Sequence, residues 1–185
     1  PNDFFNFRLG YLQIGSNFTP GLGFVPRKNI RDFYGGFGFG PRPENSGILQ
    51  LKTGIKYTLI SNLSDGGLQT AQIDFNLSEL IFLNGDIISV ASQYNFEALE
   101  KDFNIFKDFI IPVDKYNFWR HSIQYTSGKQ RKLWVSTKVS FGSFYSGTRT
   151  DWLVQSGFKI AVPLFLGLES DRRYVTLPEG RFTAQ

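Results

Sequence analysis

Alternation of apolar and polar residues at period two runs through nearly the whole sequence, and it commits the chain to strands. Nine segments carry it: 3–14, 30–40, 47–60, 68–83, 86–96, 116–127, 132–145, 150–162 and 164–175. Only 97–108 could make a short helical turn, and a loop suits it better. In the third segment Leu49, Leu51, Thr53, Ile55, Tyr57 and Leu59 share one face, with Gln50, Lys52, Gly54, Lys56 and Thr58 on the other. In the fourth, Ile73, Phe75, Leu77, Ile81 and Leu83 oppose Gln72, Asp74, Asn76 and Ser78. The fifth sets Ile88, Val90, Tyr94 and Phe96 against Ser89, Ala91, Gln93 and Asn95. The seventh and eighth repeat the pattern, Leu133, Val135, Val139, Phe141 and Tyr145 sharing a face in one, and Trp152, Val154, Phe158, Ile160 and Val162 in the other.

Asn84-Gly85 is a strong two-residue hairpin signal, because a type I′ turn needs φ > 0 at both central positions. It predicts that Leu83 faces Asp86, Ile81 faces Ile88 and Phe75 faces Tyr94. The apolar faces of the two strands then coincide, and a one-residue slip would destroy that agreement. Glu79, opposite Val90, is the one misfit.

Strand length narrows the fold class. The segments run about 10–16 residues, against about 5–6 for strands of soluble proteins and about 9–11 for tilted transmembrane strands. Short links (41–46, 84–85, 128–131, 162–163) alternate with longer ones (15–29, 61–67, 97–115, 170–180), apart from the short link at 146–149. Outer-membrane barrels show that asymmetry between tight periplasmic turns and longer outer loops. The expectation is an all-β chain, a transmembrane antiparallel β-barrel of about nine strands belonging to a larger up-and-down barrel. Residues 1–185 read as one barrel segment of a longer chain, with an export signal upstream.

Composition removes other classes. There is no cysteine and a single histidine, His121, so thiolate metal sites and most histidine-based catalysis are excluded. No run of about 18 apolar residues offers a transmembrane helix. The net charge of +4 is scattered, with no block suited to nucleic acid. No cofactor or metal is expected. Asp65-Gly66-Gly67 reads as a turn and lacks the ligand spacing of a calcium loop.

Several ordered motifs carry a resemblance. They are Gly15-Ser16-Asn17-Phe18-Thr19-Pro20, continuing through Gly23-Phe24-Val25-Pro26-Arg27; Tyr34-Gly35-Gly36; Pro41-Arg42-Pro43; Tyr125-Thr126-Ser127-Gly128 with Gln130-Arg131; Gly142-Ser143-Phe144-Tyr145-Ser146-Gly147; and Leu177-Pro178-Glu179-Gly180-Arg181-Phe182. In this order the chain resembles the outer-membrane β-barrel domain of unknown function, family 5916. That domain often follows a periplasmic domain similar to family-9 carbohydrate-binding modules. Gly21 departs from the family, which usually has an acidic residue there. The resemblance implies an outer-membrane location, a passage or docking role linked to glycan uptake, and no catalytic residues to transfer.

Candidate binding residues fall in two groups. Arg27, Lys28 and Arg31 flank the Gly/Pro-rich loop 21–27 and could meet a ligand or lipopolysaccharide phosphates, or the loop could be purely structural. Arg8, Lys52, Lys56, Arg120, Lys138 and Lys159 lie on polar strand faces with Asp32, Asp74 and Asp151. They would form a basic luminal wall favouring anions, or neutralise one another as salt bridges. Trp134 has inward parity and is the aromatic luminal candidate. Tyr11, Tyr57, Tyr94, Trp119, Tyr125, Tyr145, Trp152 and Tyr174 fall on the apolar parity, as interfacial girdles would. His121 shares that parity, and no catalytic partner on a second strand is identifiable. Gly35, Gly36, Gly38 and Gly40 predict a strongly curved strand, or a loop or plug packed on it.

The expected partners are outer-membrane lipid, lipopolysaccharide, oligosaccharide and other envelope proteins. A non-conducting barrel anchor or subunit of a larger envelope complex, and a soluble lipid- or sugar-binding β-protein with its apolar faces turned inward, are the alternatives. An enzyme is the least supported class.

Overall fold

A computed structural model describes residues 4–21, 27–44, 46–106, 109–161 and 164–184. Ten strands form one antiparallel sheet in up-and-down order: β1 (Phe5–Ile14), β2 (Ile30–Phe39), β3 (Ile48–Asn62), β4 (Leu68–Phe82), β5 (Ile87–Ala98), β8 (Lys115–Thr126), β9 (Leu133–Phe144), β10 (Gly147–Ala161), β11 (Leu164–Leu177) and β12 (Gly180–Ala184). A separate two-stranded hairpin, β6 (Phe103–Phe106) and β7 (Phe109–Ile111), lies in the link between β5 and β8. β1 and β12 are the two edges of the sheet.

The sheet has almost no interior of the ordinary kind. Among the described residues only Ile30, Ala71, Ile111, Phe118, Val175 and Leu177 are buried apolar side chains. The apolar face points outward: Phe7 is 72% exposed, Leu9 64%, Leu133 56%, Leu166 56% and Leu168 77%. The polar face curls inward, and residues from β1 through β10 line one cavity of about 1450 Å³. Turned this way round, the stripes that alternation marked as apolar form the outer surface.

Strand positions agree with the alternation, but the register of the β4–β5 hairpin does not. Leu80, not Ile81, faces Ile88, and Phe75 faces Ser92. Two departures cause this. The Phe82 carbonyl accepts from the Gly85 N–H at 3.0 Å, and only Gly85 of the turn has positive φ, at 82°. The turn is thus a tight turn followed by a left-handed glycine, a longer loop than type I′. Above it, β4 bulges at Leu77–Ser78, where both neighbouring ladders shift. A bulge adds one residue and reverses the parity of everything beyond it. Glu79 therefore lies on the polar face, with its carboxylate 3.3 Å from Lys52 Nζ, while Ile81 is turned inward with it. The apparent misfit at Glu79 was the bulge's trace in the sequence.

The links also differ from expectation. β11 continues to Leu177 and pairs with β12 through a short turn at 178–179, so 170–180 is mostly strand. β9 and β10 join through Tyr145 and Ser146 alone, with Tyr145 at φ 49°. The long links are therefore confined to 15–29 and 99–114; the link expected to be longer at 61–67 shrinks to 63–67, shorter than 40–47 before it, so the expected alternation of link lengths fails in both halves. The described part of the 97–108 stretch, 97–106, holds the end of β5 and the β6 strand, with no helix. Residues 22–26, at the heart of the 21–27 loop, and the link 162–163 lie outside the described residues.

The turn after β4 is tied to the link after β8. Asp86 Oδ1 accepts from the Gly128 N–H at 2.8 Å and lies 2.8 Å from Arg131 Nη2. The Gly128 N–H, the Arg131 guanidinium and Asn84 hold the Asp86 carboxyl below its ordinary range. A depressed carboxylate contributes stability that is present above its unfolded value, near pH 4, and is lost as pH falls through the lower folded value. Asp86→Asn is expected to flatten the acid limb of stability below about pH 4, measured by unfolding across pH. An unchanged acid limb would remove Asp86 from the account.

Candidate functional site

The cavity wall is built by register. Arg8, Gly36, Lys56, Asp74, Gln93, Arg120 and Gly142 follow one another across β1 to β9 in a single transverse row of inward positions. Six cations line the cavity (Arg8, Lys52, Lys56, Arg120, Lys138 and Arg149) against four carboxylates (Asp74, Glu79, Glu97 and Asp151).

Half of this wall neutralises itself. Asp151 Oδ2 is 2.7 Å from Arg120 Nη2, its Oδ1 accepts from Arg149 Nε at 2.7 Å, and Arg120 Nη1 donates to the Arg149 carbonyl at 2.6 Å. The Arg149 guanidinium also lies over the Phe144 ring, 5.2 Å from its centre, an arrangement the ring's negative face favours. Asp74 is satisfied by amides, accepting from Gln93 at 2.6 Å and Gln72 at 3.0 Å. Arg8, Lys56 and Lys138 have no hydrogen bond or ion pair among the described residues, so the wall keeps a positive field.

Of the residues singled out from sequence, Arg8, Lys52, Lys56, Arg120 and Lys138 are brought together in the cavity with Asp74 and Asp151. The others are elsewhere. Arg27 sits at the rim, donating to Thr70 Oγ1 at 2.7 Å and standing 3.9 Å from Glu97. Lys28 is exposed in the link before β2. Arg31 shares the outward parity of Phe33, opposite Gln13 and Ser61. Lys159 is turned to the short-link end, its Nζ donating to the Lys129 carbonyl at 2.9 Å. Trp134 does point inward, but its indole lies over Gly157, stacks on Phe165 at 6.5 Å and carries Lys129 Nζ 5.0 Å from its ring. It is packed at the end of the sheet and does not line the cavity.

The β6–β7 hairpin supplies what the sequence did not disclose. Ile111, Val175 and Leu177 form the buried apolar cluster, with Phe109, Tyr116, Phe144, Tyr145 and Phe182 packed around it. Val175 and Phe182 are inward positions of β11 and β12. The hairpin is thus folded against the inner face of the last strands and occupies that side of the concavity. Tyr145 belongs to this group and lines the cavity, so its expected outward parity is corrected by the two-residue loop that turns it.

His121 does have a partner on a second strand. Its Nδ1 is 2.8 Å from Ser92 Oγ, on the outward face between Trp119 and Phe141. No further polar group reaches either side chain among the described residues, so the pair satisfies two polar groups inside an apolar belt and lacks the third member of a relay. Among the described residues no group of three His, Asp or Glu is placed to hold a metal ion.

No family model, no curated protein and no solved structure matches the chain. The resemblance to family 5916 barrel domains therefore rests on the ordered motifs alone.

Proposed function

We propose that the chain is an outer-membrane β-barrel component whose apolar face contacts lipid and whose polar face lines a passage or docking cavity for glycan-like solutes. The outward apolar belt carries this reading. Soluble monomers rarely expose a contiguous apolar patch above a few hundred Å², and lipid is the solvent in which such a belt costs nothing to display. The antiparallel ladder satisfies the backbone groups between neighbouring strands, and the edges β1 and β12 would be closed there by further strands of a larger barrel; a polar interior is the rule for such barrels. The glycan part follows from the resemblance to family 5916. Lipid and lipopolysaccharide would be the surrounding partners, with Arg31 available to headgroup phosphates.

The test is extraction of the expressed protein. It should stay in the membrane pellet through alkaline carbonate and leave it only with detergent. Recovery in the soluble fraction, folded and monodisperse without detergent, would reject the reading.

One observation favours a plugged anchor as the second reading: the β6–β7 hairpin already occupies one side of the concavity. Reconstituted full-length protein separates the two. An open passage gives stepwise ion conductance in planar bilayers, increased by deletion of 100–112, and an anchor gives none.

A further inference from the structure

The inner face of β1–β3 holds three donors that the wall leaves unused. Asn6, Arg8 and Lys56 have no hydrogen bond or ion pair among the described residues, and all three are exposed to the cavity. Register places them around one spot. Arg8 faces Gly36, which faces Lys56; Asn6 faces Gly38, which faces Gly54. The centre of this patch is therefore backbone with no side chain above it except what leans in from the rim. An added Cβ on Gly36 would stand 3.2 Å from Lys56 Cγ, so the Lys56 stem lies over Gly36 toward Arg8. That lean carries it away from Asp74, its neighbour on the other side, and no Lys56–Asp74 ion pair forms. One step along the same face, the hydroxyl end of the Tyr34 ring lies over Gly10, where an added Cβ would collide with it, and Tyr34 is 39% exposed.

We infer that this patch is a binding site for an acidic saccharide, a hydroxylated ring bearing a carboxylate. Arg8 and Lys56 bracket a carboxylate from two sides, the guanidinium offering paired donors. Asn6 supplies an amide that can both give and accept hydrogen bonds, as ring hydroxyls require. The Tyr34 face, held against glycine, gives a sugar's C–H face an aromatic surface already fixed in place, with little side-chain entropy left to lose. Cations alone would suit any anion; the amide and the ring together select a hydroxylated one. The glycines that sequence analysis marked on β2 acquire a role here, since side chains at Gly36 and Gly38 would fill the floor. The inference rests on the proposed reading only in taking the cavity for the lumen.

Calorimetric titration of the folded protein, in detergent or in buffer as its solubility dictates, reads binding independently of membrane insertion. The probes are a galacturonate trisaccharide, a neutral trisaccharide of the same size and inorganic phosphate. The acidic trisaccharide is expected to bind tightest and to weaken as salt rises. The double substitution Arg8→Gln and Lys56→Gln should weaken it at least tenfold while leaving circular dichroism unchanged, as substitutions of exposed, unpaired side chains should. Tyr34→Leu should weaken both saccharides and leave phosphate untouched. Equal binding of the neutral and acidic probes, phosphate binding as tight as the acidic saccharide, or no binding by any probe would each overturn the assignment. Any of these can occur while the protein still partitions into membranes.

Discussion

Replacing Ile123 by arginine is expected to destabilise the protein in lipid vesicles by roughly 2–4 kcal/mol, the cost of an arginine on the lipid face near a bilayer midplane. Ile123 is 51% exposed and faces outward on β8, directly between Val90 and Val139. In a soluble protein the same change at a half-exposed position would fall within about 0.5 kcal/mol of neutral. Water and lipid as the outer solvent thus give results several-fold apart from a single substitution. The neighbouring Ser122 is the internal control, because it points the other way and lines the cavity. Ser122→Arg should be tolerated, since luminal substitutions change selectivity more than stability. Reversible urea unfolding in vesicles measures both. If Ile123→Arg costs no more than Ser122→Arg, the outward face does not meet hydrocarbon.

That pair of residues also shows what was legible before the fold was known. Period two put Trp119 and Tyr125 on one face of this strand and Arg120 on the other, which fixes the faces of Ile123 and Ser122, and the same rule placed Lys52, Lys56, Arg120 and Lys138 on one wall, because alternation is a local property of extended backbone. What alternation cannot carry across is a bulge. In β4 the run Phe75, Leu77, Ile81, Leu83 looks continuous, and only Glu79 recorded that the parity had changed. The turn after it failed for a related reason: Asn-Gly serves a type I′ turn, but a left-handed glycine closing a longer loop uses the same letters. The β6–β7 hairpin was hidden because its Phe and Ile residues sit in short strands that pair only with each other and owe their packing to Val175, Leu177 and Phe182, more than sixty positions away. Ser92 as the partner of His121 depended on the β5–β8 register, set across the long 99–114 link, which local alternation does not fix. Tyr34 was passed over because its meaning lies in lying over Gly10, a cross-strand relation.

Removing the carboxylate of Asp151 is the second change with a large expected effect. The Arg120 side chain is 12% exposed and that of Asp151 18%, and Asp151 serves two guanidinium groups at once. Taking away one member of a buried ion pair leaves the other desolvated and uncompensated, which typically costs about 3–5 kcal/mol. Here two cations stand within reach of the vacancy and repel one another, so Asp151→Ala belongs at the upper part of that range. Asp151→Asn keeps an acceptor for one guanidinium but gives up the charge, and should lie between alanine and the native protein. Glu79→Gln offers the contrast: its partner Lys52 is 45% exposed and the contact is longer, at 3.3 Å, so water replaces the carboxylate and the loss should stay under about 1 kcal/mol. Both variants add positive charge to the same cavity wall, which separates field from scaffolding. If the wall's field governs solute passage, Glu79→Gln should raise anion selectivity with little loss of stability. If it does not, the reversal potential under a salt gradient stays unchanged in Glu79→Gln, and the effect of Asp151→Ala is confined to unfolding.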